Sequence, residues 1–146
     1  MASLKELLLS DANRPAVIRD TEKLVEDEVA KKGGISGFAI KAGYQAVRSI
    51  KPGLITEAVD SLLDRFVDRL EPFKAQWEEN GRTVSFESFL SARSHDVANA
   101  LLAVTDERAQ KSSGMVKKTY EKLRPQGEKN VESAVPGLGR LIQKYV

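Results

Sequence analysis

Few residues in this chain could carry chemistry. His95, the one histidine among 146 residues, stands between Ser94 and Asp96, which supplies the letters of a base, a nucleophile and an orienting acid. Adjacent letters do not make a triad, because neighbouring residues of a helix diverge by about 100° and cannot converge on one reacting atom. Serine and aspartate at the head of an apolar-periodic run are helix-starting residues, so the trio is expected in a first turn or a cap. Asp60, Asp64 and Asp68 recur every four residues and could offer oxygens to a hard cation. Helical carboxylate sites draw ligands from several helices, often with a Glu-x-x-His element, and the chain has no such element. A solvated acidic face is expected instead, its mild repulsion offset by Arg65 and Arg69. Gly33-Gly34-Ile35-Ser36-Gly37 with Lys41 lacks the Walker spacing and a preceding strand, and reads as a helix cap and a close helix crossing. Phe66, Phe73 and Trp77 fall at helical spacing on an apolar seam, which is core behaviour rather than a base-stacking platform. No catalytic, cofactor-binding or metal-binding residue is expected.

Composition narrows the classes. Charged residues make up 30% of the chain and hydrophobic ones 41%, a balance suited to a folded domain and to neither disorder nor a membrane-integral protein. The longest apolar runs are a few residues, such as Leu7 to Leu9, so no bilayer span or signal-peptide core is expected and a cytoplasmic location is the default. The absence of cysteine removes disulfides, thiol chemistry and thiolate metal sites.

A net charge of +2 does not announce a nucleic-acid binder, but its distribution is uneven. Residues 52–82 carry four basic and seven acidic side chains, net −3, while residues 113–146 carry seven basic and three acidic, net +4. Glu57, Asp60, Asp64, Asp68 and Glu71 form an acidic stripe, a candidate partner face. Lys117, Lys118, Lys122, Arg124, Arg140 and Lys144, with Lys129, are candidates for contact with an anionic membrane surface or nucleic acid. Glu121, Glu128 and Glu132 dilute that signal. Pairing of the tail with the acidic stripe of its own chain, or of a second copy, is favoured over an external anionic partner.

The elements that would position these residues are helices. From Pro52 to Gly81 the apolar residues Val59, Leu63, Phe66, Leu70, Phe73 and Trp77 recur at alternating gaps of four and three, the seam of a long packed helix. Leu62 and Val67 widen it beyond a two-stranded coiled coil. Pro72 inside it is expected to kink or break the helix. Ser3 with Glu6 suggests a capping box for a short helix through Leu9. Pro15 opens a second helix that carries Val17, Ile18, Leu24, Val25 and Val29, ends at Gly33-Gly34 and turns Glu22, Glu26, Asp27 and Glu28 to water. Residues 37–50 are apolar nearly all round, which predicts burial, with Gly43 at a close crossing. Phe86, Phe89 and Leu90 read as helix, with a short strand at Val84 to Phe86 as the alternative. A helix carrying Val97, Ala98, Leu101, Leu102 and Val104 runs to about Ser112. Beyond it, Pro125-Gln126-Gly127 and Pro136-Gly137 are expected to cut the tail into three helices.

The segments MASLKELLLSDANRPAVIRD, GFAIKAGYQAVRSIKPGLITEAVDSLLDRFVDRLEPF and YEKLRPQGEKNVESAVPGLGRLIQKYV resemble a family of small, uncharacterised actinobacterial proteins, and the resemblance covers most of the chain. It implies a bacterial, mostly helical protein with no assigned activity and no site residues to carry over. The expected fold is all-α: one irregular bundle, residues 1–146, around the central helix, with residues 125–146 as a docked C-terminal segment. The expected function is a non-enzymatic interaction protein that works through an apolar groove or by self-association. A module that binds a lipid or another apolar small molecule between its helices is the alternative, and an enzyme with an unrecognised site the third.

Overall fold

The computed structural model describes residues 2–32, 37–38, 40–42, 44–45, 49, 53–112 and 114–146. Its helices include α1 (Leu4–Leu8), α2 (Arg14–Lys31), α3 (Leu54–Glu79), α4 (Phe86–Ser91), α5 (Ser94–Gln110) and α6 (Gly114–Gln143), and the described residues 37–38, 40–42, 44–45 and 49 are helical as well. No strand occurs among the described residues. The sequence-based expectations for Gly33, Gly34, Ser36, Gly43 and Pro52 lie outside them.

The seam read from the sequence folds as α3, and its Leu63, Val67, Leu70 and Trp77 are buried. Phe66 and Phe73 are half-buried at its edges. Pro72 sits inside α3 without breaking it. A proline deletes one backbone hydrogen bond, and buried residues on both sides of it, Leu70 before and Lys74 and Trp77 after, hold the helix to its neighbours. After α3 the chain reverses through Gly81 and Arg82, both at positive φ, where the Arg82 amide donates to the Trp77 carbonyl at 3.1 Å. The Trp77 indole donates to the Val84 carbonyl at 2.7 Å and packs edge-on against Phe86. The strand alternative at Val84 is thereby corrected: Ser85 caps α4, its hydroxyl accepting from the Ser88 amide at 3.1 Å.

Short helices form only where the bundle fixes them, because a helix of a few residues is marginal in water. Ser3 caps α1 by accepting from the Glu6 amide at 3.1 Å, and Leu4 and Leu8 are buried against the core. Arg14 and Pro15 open α2, which buries Val17 and packs Ile18 and Leu24 against the core. Glu22 departs from its expected exposure, for its Oε1 is buried without a hydrogen-bond partner. Glu28 is also turned inward, its side chain only 12% exposed. Residues 37–50 were expected to be buried, but of the described residues there Gly37 is buried while Phe38 is 76% exposed and Ala42 is exposed. Burial depends on what faces a side chain as well as on its own apolarity.

The largest correction concerns the tail. Residues 114–143 form one helix of 30 residues that carries Pro125 and Pro136 inside it. Gly137, expected with Pro136 to break the tail, and Gly139 beside it instead mark close contacts. A Cβ at Gly139 would lie 2.8 Å from the Glu87 Cα, and one at Gly137 would lie 2.6 Å from a Leu24 methyl. They are the points where α6 presses onto α4 and α2. Val135, Leu141 and Ile142 on this half of α6 are buried with Leu4, Val67, Phe86, Leu90 and Val97 in the common core.

Candidate functional site

Where the helix faces meet, the core does not fill. A cavity of about 220 Å³ opens between α1, α2, α3, α5 and α6. The helical period supplies its walls: Val17, Thr21 and Leu24 from α2, Leu63, Phe66, Val67 and Leu70 from α3, and Leu101, Leu102 and Thr105 from α5. Leu8 of α1 closes one side, and Val131, Ala134, Val135, Leu138, Leu141 and Ile142 of α6 complete the lining. Thr21 and Thr105 are the lining residues with a hydroxyl, and both are engaged within the protein. Thr21 donates to the Val17 carbonyl at 2.7 Å, and the Thr105 hydroxyl lies 2.7 Å from the Tyr120 hydroxyl of α6 and 3.0 Å from the Leu102 carbonyl. The cavity therefore offers almost pure hydrocarbon. Water needs two to four polar partners to be held in such a space, and these walls offer it few.

The polar candidates lie elsewhere and are mostly engaged within the chain. Arg14 of α2, not Arg65 or Arg69, answers the acidic stripe: its guanidinium pairs with Asp60 at 2.9 Å and with Asp64 at 2.7 Å. Glu71 accepts from the Leu4 amide at 2.6 Å, a carboxylate at the head of α1. Glu57 and Asp68 are exposed, and Arg69 pairs with Glu107 of α5. The basic set divides. Arg124 forks onto Asp106, Arg140 pairs with Glu87 and Lys144 with Asp20. Lys117 is half-buried, while Lys118 and Lys122 are exposed. Asp106 also accepts from the Tyr120 hydroxyl, and the Arg124 guanidinium holds its carboxyl below the usual carboxylate range.

α5 begins at Ser94 and holds Ser94, His95 and Asp96 in its first turn, as the sequence led one to expect, while the cap position itself falls to Arg93 and no side chain caps the helix. His95 instead reaches α6. Its Nδ1 lies 2.7 Å from Glu132 and 3.3 Å from Glu128, and the Glu132 contact raises the imidazole above its ordinary range. Asn99 donates through Nδ2 to the His95 carbonyl, and the same nitrogen lies 3.1 Å from Nε2. In the neutral ring this leaves the proton on Nδ1, pointing at Glu132. Ligand atoms of His95, Glu128 and Glu132 all lie within 4.8 Å of one another and could hold a metal ion. When the imidazole is protonated, the same contacts form an ion pair that ties α5 to α6.

A family model matches residues 4–146. The chain belongs to DUF6918, a family of unknown function. No curated protein and no solved structure matches it. Among the described residues no helix of this DUF6918 chain is long and apolar enough to cross a membrane.

Two features escaped sequence reading. Lys74 is buried, with 1% of its surface exposed, and its ammonium donates to Glu78 and to the Ala2 carbonyl. That contact lowers the Glu78 carboxyl below its usual range. The signal was present, because position 74 continues the spacing Leu63, Val67, Leu70, Trp77 and so falls on the seam. The cavity left no such signal, since its walls come from five helices.

Proposed function

We propose that the protein is a non-enzymatic, cytoplasmic module that binds an apolar small molecule between its helices. The observation that carries this reading is the hydrocarbon-lined cavity of about 220 Å³. A dry apolar cavity of about 150 Å³ in another protein accepts benzene, so a somewhat larger apolar molecule fits here. A ligand that fills the space gains packing contacts with these walls and raises the melting temperature by linkage. Reading the molecule as an interaction module or self-associating chain ranks second. Phe66, Leu101 and Leu138 line the cavity while only half-buried, the kind of rim a second helix covers.

Native mass spectrometry of gently purified protein, with thermal melts in a series of medium-chain alkanols and small aromatics, tests the first reading. Retained organic mass or a chain-length-dependent rise in melting temperature is expected, and Ala134→Phe, which fills the cavity from α6, is expected to abolish both. No retained mass and no shift with any probe would sink it. A stable dimer by light scattering under the same conditions would favour the second reading.

A further inference from the structure

The first half of α6 separates its charges by face. At about 100° per residue, Lys118, Lys122, Lys129, Met115 and Leu123 occupy a single arc of roughly 140°, and Glu121, Glu128 and Glu132 fall together outside it. The contacts agree with that division. Glu128 and Glu132 turn to His95 of α5, and Glu121 lines a polar pocket with Asp106 and Arg124. The acids that dilute the basic signal in the linear sequence thus lie toward α5. On the outer arc Lys118, Lys122 and Lys129 are exposed, with Met115 81% and Leu123 55% exposed beside them. Lys32 adds a fourth ammonium, its Nζ 2.6 Å from the hydroxyl of Ser133 farther along the same arc.

We infer that this outer face of α6 docks on an anionic phospholipid surface. Lysines close to such a surface are attracted by its negative potential, and two apolar side chains among them can enter the headgroup boundary. A nucleic-acid surface is less well matched. The arginines of α6, which would make forked phosphate contacts, are paired with Asp106 and Glu87, and the outer arc has exposed Met115 and Leu123 where a phosphate groove has none. The inference does not depend on the cavity.

Flotation with vesicles of phosphatidylcholine alone, or with about a third phosphatidylserine, tests it in the full chain. Partition onto the anionic vesicles only is expected, weakening from about 0.1 M to 0.5 M salt. Each lysine is worth roughly fivefold, so K118Q/K122Q/K129Q is expected to lose about a hundredfold. L123S is expected to weaken binding with an unchanged salt slope. All three positions are exposed, and circular dichroism checks that the variants stay folded. Absence of wild-type partition at low salt, or an unchanged triple variant, overturns the proposal. So does binding to an oligonucleotide with the same lysine dependence and no response to L123S.

Discussion

From Val131 to Ile142, α6 turns Val135, Leu141 and Ile142 into the core and sets Gly139 against the backbone of α4, whereas from Gly114 to Lys129 the same helix carries Met115, Leu123 and three lysines in solvent. Backbone geometry does not distinguish the halves, and each contains a proline. What differs is the surface each half meets. Glycine shows this most plainly: a Cβ at Gly127 would meet nothing within 4 Å, and one at Gly139 would meet Glu87.

The largest expected effect that sharpens this contrast is Ile142→Ala. Truncating this side chain, 1% exposed, is expected to cost about 2–5 kcal/mol by denaturant unfolding, while Leu123→Ala is expected to stay within about 0.5 kcal/mol. Equal losses would erase the distinction. Next come the glycines. Gly139→Ala is expected to destabilise by about 1–3 kcal/mol through forced separation of α6 and α4, and Gly127→Ala to stabilise by about 0.5–1 kcal/mol through helix propensity. A common sign for both substitutions would break the comparison. The smallest effect belongs to the join between the halves, where Glu128 and Glu132 meet His95. Because the folded imidazole is raised, its contribution is present in full below about pH 6.5. It is lost as pH rises through the higher folded value. His95 is the only histidine, so melting temperatures of wild type and Glu132→Gln should converge above that value and diverge below it. Parallel curves would remove the ion pair from the account.

Legibility in the sequence followed the same division. The α3 seam was readable because period and burial agree at Leu63, Leu70 and Trp77. The α1 cap was readable because Ser3 acts within its own turn. Features set by distant residues were not. Pro125, Gly127, Pro136 and Gly137 carry local breaking signals, and packing along α6 overrides them. Arg14 lies 46 residues from Asp60, its ion-pair partner, and nothing in the spacing of the acidic stripe pointed to it. The cavity is a property of five faces at once, so no single helical period pointed to it.

The bonds between the beginning of the chain and α3 bear on the order in which it can fold. The Leu4 amide waits for a carboxylate 67 residues downstream, and the Ala2 carbonyl for an ammonium 72 residues downstream. A five-residue helix has little persistence alone. Residues 2–8 can therefore settle only once residues 71–74 of α3 have been made and are in place.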